Sequence, residues 1–196
     1  MIRYLRLAGT SAVTSNWCAL TVAVALSAGL TAQQDLAENR RPEIYETAAV
    51  DAQGRLVITT SEKRTIVVGW DREQTSFADP VMSSDRTAVG AQGRFPNCCT
   101  SYDLPLQLVV YSRGHVHRFK GNGLPIFNWH FADSGTRVAF GQEPAHFGCE
   151  IHYELREIHS ERLIAAADIP QPCGEVPKPR TVEIPTWVSA LTSRRK

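Results

Sequence analysis

Three stretches of the chain share one pattern of apolar and polar positions. Residues 55–68, 107–119 and 155–166 each read as an apolar strand, a short polar tip holding Ser61, Ser112 or Ser160, and a second apolar strand. Residues 83–90 and 133–140 precede the second and third hairpins as matching lead-in strands, each opening on a turn with an aspartate, Asp85 or Asp133. The tips recur about every 50 residues, a spacing typical of stacked β units that bury their faces only against their neighbours. Residues 70–80 read as a polar connection, and residues 92–105 as a loop inside the second unit. Gly121-Asn122-Gly123 forms a turn, since glycine takes positive φ without steric penalty. The prolines of residues 169–179 exclude regular structure, because proline lacks an amide donor and restricts its predecessor. Residues 185–191 predict a short helix with Trp187, Val188 and Leu191 on one face, docked on the sheet.

The expected fold is therefore all-β and antiparallel: two full blade-like units plus a hairpin, in an open or incomplete stack with a short C-terminal helix. The lead-in strand plus hairpin resembles a blade of a WD40-like or TolB-like β-propeller. Propellers close with at least four blades of roughly 40–50 residues, so two units and a hairpin leave an open stack of blade-like sheets, a compact sandwich or an array completed by a second chain. Residues 80–168, with Pro96-Asn97-Cys98-Cys99-Thr100-Ser101-Tyr102, Leu106-Gln107-Leu108-Val109-Val110, Trp129-His130-Phe131 and Tyr153-Glu154-Leu155-Arg156-Glu157-Ile158, are also similar to a group of small secreted bacterial proteins. That similarity implies an exported β protein and assigns no site.

The N-terminal residues 1–32 bear on compartment. Arg3 and Arg6 are the only charges before Asp35, and an apolar run from Trp17 to Leu30 follows them. This is the order of a secretory signal, cleaved after Ala32; the run is shorter than the roughly 20 residues of a spanning helix. The expected divisions are a signal peptide over 1–32, a tether over 33–47, a β-repeat domain over 48–168 and a Pro-rich tail with a short helix over 169–196. The expected location is periplasmic or secreted, with no membrane contact after cleavage. Without residues 1–32 the chain keeps 19 basic against 20 acidic residues. A near-neutral balance with no basic stripe argues against a nucleic-acid partner.

Export places Cys98, Cys99, Cys149 and Cys173 in an oxidising environment, where three pairings are possible. The α-carbons of adjacent residues stand about 3.8 Å apart across a trans peptide, below the usual disulfide window. A Cys98–Cys99 bridge would thus be strained and easily reduced, a candidate thiol-disulfide sensor, with Cys149 then paired to Cys173.

All six histidines fall between positions 115 and 159. His115 and His117, two apart on a strand, face the same side and form the sharpest candidate zinc or copper pair. Cys149 and His152 have a weaker metal-ligand spacing. No Gly-x-Ser-x-Gly elbow is present, and no phosphate loop or paired carboxylates mark a catalytic site. Trp70, Trp129 and Tyr102 are candidate binding aromatics, although rings in small β domains mostly fill the core. The residues predict a non-catalytic binding or assembly module of the cell envelope that takes a protein or peptide partner and needs no cofactor. The alternatives are a metal-binding protein at His115 and His117 or a redox sensor, and copies of the chain are candidates for self-association.

Overall fold

A computed structural model describes residues 42–98, 101–145, 148–171 and 183–192. These residues belong to one compact unit, Pro42–Lys196. Eleven strands, β1 (Tyr45–Val50), β2 (Leu56–Thr60), β3 (Thr65–Val68), β4 (Ser76–Met82), β5 (Ala88–Phe95), β6 (Leu104–Ser112), β7 (His115–Lys120), β8 (Ile126–Ala132), β9 (Arg137–Gln142), β10 (Glu150–Glu157) and β11 (Leu163–Pro170), are followed by one helix, α1 (Thr186–Thr192). They form three antiparallel meanders: sheet A (β1-β2-β3), sheet B (β4-β5-β6-β7) and sheet C (β8-β9-β10-β11). Strands follow chain order within each sheet, so every connection is a local turn.

The three expected tips close the β2–β3, β6–β7 and β10–β11 hairpins, the last two strands of each sheet. Each tip turns through left-handed backbone, at Lys63, at Arg113-Gly114 and at Glu161. The stretches expected as lead-in strands divide differently. Residues 83–87 are the turn between β4 and β5: Ser83 Oγ donates to Asp85 Oδ1 at 2.6 Å and accepts from the Ala88 amide at 3.0 Å. The strand proper begins at Ala88. At the equivalent place in sheet C a 3-10 turn, Asp133–Gly135, leads into β9.

Two strands were hidden in the sequence. The expected polar connection over 70–80 contains the start of β4, whose Asp79 and Pro80 break the alternation because they form a bulge between Ala78 and Val81. The first unit is more than a hairpin, since β1 begins at Tyr45, three residues before the expected domain start, and pairs along β2. Tyr45 is fully buried and tied to the β4–β5 turn: its amide donates to the Arg86 carbonyl, and Arg86 Nε donates back to the Tyr45 carbonyl, both at 2.8 Å. Order also runs slightly beyond the expected end, because β11 continues to Pro170.

The core lies in three layers. Between sheets A and B, Leu56, Ile58 and Val68 pack on Phe77, Val89, Ala91 and Val109. Between B and C, Leu108, Val110 and Phe119 meet Ile126, Val138 and Phe140. On the far side of C, Ile151, Tyr153 and Leu155 are covered by Val188 and Leu191 of α1, with Trp187 packed against them. Alternate residues of β6 therefore serve different layers: Val109 faces A, while Leu108 and Val110 face C. A strand with both faces buried reads as a continuous apolar run, which is why Leu108-Val109-Val110 lacks alternation. Each buried aliphatic side chain contributes on the order of 1.5–3 kcal/mol. Close approach of B and C depends on Gly90, where a side-chain carbon would stand 2.5 Å from the Trp129 ring. Among the described residues no helix is long and apolar enough to cross a membrane.

Candidate functional site

Two places gather functional side chains. The first is the edge formed by the opening strands of sheets B and C. Both β4 and β8 are edge strands, and both are bulged, β4 at Asp79-Pro80 and β8 at Phe127. Bulges twist an edge away from runaway strand pairing and re-aim side chains. Val81 remains 36% exposed and Phe127 39% exposed. They border a shallow pocket of about 210 Å³, lined also by Asp79, Gln92, Trp129 and Leu191. This is below the roughly 300–1,000 Å³ of small-molecule sites and suits a single side chain. The floor is rigid: Gln92, 4% exposed, reaches across from sheet B and donates Nε2 to the carbonyls of Ile126 (2.8 Å) and Phe127 (3.2 Å). Its Oε1 accepts from Arg94, which also stands 3.6 Å from Asp79. The amide latches the two sheets and satisfies two carbonyls of the β8 edge.

The second place is the outer seam between B and C, at the hairpin tips. His115 and His117 lie on the face of β7 that carries Phe119 into the B–C core. Opposite them stands the β10–β11 tip with His159 and Glu161. His117, 7% exposed, has Nδ1 3.3 Å from Glu161 Oε1, and its ring meets His159 edge-on with centroids 6.1 Å apart. Burial pushes the His117 imidazole below its ordinary pKa, against the upward pull of Glu161, and the neighbouring His159 and His115 add to the lowering. Behind the tips, His152 and Glu154 of β10 join Asp168 of β11. His152 Nδ1 is 2.6 Å from Asp168 and Nε2 3.3 Å from Glu154. Burial lowers the His152 pKa, but the hydrogen bonds and charges of Asp168 and Glu154 outweigh it and raise it. Arg156 pairs with the buried Glu154 and donates to the Glu161 carbonyl at 3.0 Å. Polar contacts thus run from Asp168 through His152, Glu154 and Arg156 to Glu161 and His117, whose ring abuts that of His159.

The expected site residues separate accordingly. His115 and His117 do share a face, and His159 and Glu161, unmarked in the sequence, meet His117 from 42 and 44 residues away. Among the described residues no three His, Cys, Asp or Glu side chains already converge as a metal-ligand group. Trp129 lines the edge pocket and packs edge-to-face on Phe131 over Gly90. Trp70 and Tyr102 are exposed but do not line that pocket, so the three aromatics form no common groove. Cys98 and Cys149, the latter just before β10, are both exposed. Cys99, Cys173 and His146 lie outside the described residues, and so do the signal segment, residues 33–41 of the expected tether and most of the Pro-rich tail, whereas the last tether residues, from Tyr45, belong to β1. Two tip serines serve structural bonds: Ser160 donates to Glu157 within its own tip, and Ser112 donates across to the Thr87 carbonyl of the β4–β5 turn. The Gln92 latch carried no signal, because residues 92–105 read as a loop, whereas β5 runs on through Gln92 to Phe95 and β6 begins at Leu104.

No protein-family model and no curated protein matches the chain. Among solved structures it is similar to the β-propeller domain of Cps50 (Swd1) from Myceliophteria thermophila, with 13% identity and a TM-score of 0.34, over 74% of this chain and 47% of that one. The chain thus spans about half the length of that domain. Its own strand order and core layers make it an all-β protein of three antiparallel blade-like sheets, of three, four and four strands, stacked in an incomplete propeller-like array and closed at one end by a short helix.

Proposed function

We propose that the protein is a non-catalytic binding or assembly module of the cell envelope, acting in the periplasm or after secretion, and that it takes an extended protein or peptide segment along the β4–β8 edge. One observation carries the reading: two bulged edge strands hold Val81 and Phe127 at the surface beside a pocket sized for one side chain. Extended peptides bind sheet edges through main-chain hydrogen bonds and seat alternate side chains in pockets. Asp79 at the rim favours a basic residue beside the apolar anchor. Compartment rests on the N-terminal residues, whose order of charge and apolar run is that of an export signal.

A photo-crosslinking amino acid at Phe127, in cells expressing the whole chain, tests the reading. A discrete adduct that disappears with Val81→Glu supports it, and an adduct with a second copy of the chain would make the partner the protein itself. Absence of any adduct, or one indifferent to Val81→Glu, contradicts it.

A further inference from the structure

We propose that the β6–β7 and β10–β11 tips together form a site for a divalent transition metal of the zinc or copper class, bound through imidazole nitrogens of His115, His117 and His159, with Glu161 orienting His117. The site is separate from the β4–β8 edge and stands whether or not that edge binds a peptide.

The tautomer of His117 comes first. An ionised carboxylate only accepts hydrogen bonds, so the contact between His117 Nδ1 and Glu161 at 3.3 Å places the proton on Nδ1. Neutral His117 then keeps its lone pair on Nε2. A carboxylate that fixes one ring nitrogen while the other faces an ion is the usual support of a metal-bound histidine.

His159 supplies the second ligand. Its ring stands 6.1 Å from that of His117, centroid to centroid, at an interplanar angle of 65°. Two imidazoles on one tetrahedral zinc, with nitrogens about 2.0–2.1 Å from the ion, have centroids about 5 Å apart. Closing that gap takes about 1 Å of movement at an exposed tip. His115 is the third ligand, two residues along the same strand face. His115 and His159 are both exposed, so no core packing opposes their rotation, whereas His117 is held in place. The donors do not converge in this structure; the ion gathers them, drawing the two tips together.

Charge permits this. Two arginines of the β10–β11 hairpin are already paired, Arg156 with Glu154 and Arg162 with Glu157, and Glu161 brings a carboxylate to the three rings. Imidazole ligands suit zinc and copper better than magnesium or calcium, which prefer oxygen. Three protein ligands leave a fourth tetrahedral position for water or a small anion.

Calorimetric titration of zinc into the untagged full-length chain tests the site, with cobalt substitution as a spectroscopic readout. One ion per chain and the intense visible absorption of tetrahedral cobalt are expected. His115→Asn and His159→Asn, which leave the buried residues untouched, should each weaken zinc by more than about tenfold, and Glu161→Gln by about 10–100-fold. His152→Asn should leave affinity unchanged, because that ring is committed to Asp168 and Glu154. Thermal melting of each apo variant verifies folding. The proposal is overturned if no stoichiometric ion binds, or if affinity survives both His115→Asn and His159→Asn.

Discussion

The two seams that flank sheet B are built on the same strand and differ in the kind of charge they hold. On one face of β7, Arg118 and Lys120 look toward sheet A. Arg118 donates to the Gly69 carbonyl at 2.8 Å and to Gln107 at 3.1 Å, while Lys120 pairs with Asp71 at 3.2 Å. On the other face lie His115 and His117, and His117 meets His159 and Glu161 of the β10–β11 tip. The Gln107 amide, the Arg72 backbone N–H and Lys120 hold the Asp71 carboxyl below the usual carboxylate range. The A–B seam therefore keeps Asp71 ionised across the physiological range, whereas the B–C seam is built on histidines, the side-chain type that ordinarily changes charge there. Alternation along one six-residue strand sorts fixed charge to one interface and adjustable charge to the other.

The largest effects should come from the layers beneath the seams. Phe140→Ala removes a fully buried ring from the B–C core, and Ile58→Ala trims the A–B core. By chemical denaturation the first should lose about 3–5 kcal/mol and the second about 2–5 kcal/mol. Because neighbouring sheets bury each other, either should destabilise the whole stack; loss confined to one sheet would break the picture of shared cores.

Next comes the amide that fastens B to C. Gln92→Leu leaves the Ile126 and Phe127 carbonyls without their side-chain donor and should lower stability by about 1–3 kcal/mol. The sharper sign is local, namely faster amide exchange in β8 than in β4. Equal exchange in both edges would show that the latch does not hold the seam.

The pH response of the B–C side is smaller and has a definite sign. The folded pKa of His152 is raised. Its stabilising contribution is therefore fully present below the unfolded value, about 6.5, and is lost as pH rises through the folded pKa. Stability measured from pH 5 to 8 should fall with rising pH by an amount that His152→Asn removes. A His152→Asn profile parallel to that of the wild type would contradict the assignment. On the A–B side, Lys120→Met should cost no more than about 1 kcal/mol, since the pair is largely exposed and screened by salt.

These contrasts were unevenly legible in the sequence. Tip spacing and apolar runs exposed the repeat, and the final apolar stripe exposed α1, because both follow from local periodicity. The Asp79-Pro80 bulge concealed β4 by breaking alternation where a bulged edge needs proline, and Tyr45, at the start of β1, was lost in a polar stretch. The pairing of His115 and His117 was visible since it needs only residues two apart. Glu161 and His159 belong to another sheet, and only superposing the second tip on the third would have brought them near. Gln92 and Gln107 join elements distant in sequence, and a buried amide has no motif.

Hydrogen exchange of the intact chain, followed by mass spectrometry, most directly tests whether the sheets shelter one another. Peptides covering β5, β6 and β9, covered on both faces, should be the slowest to exchange and should lose protection together under mild denaturant, while the three hairpin tips exchange first. Exchange in β5 and β6 as fast as at the tips, or at a denaturant concentration well below that opening β9, would contradict the stacked arrangement.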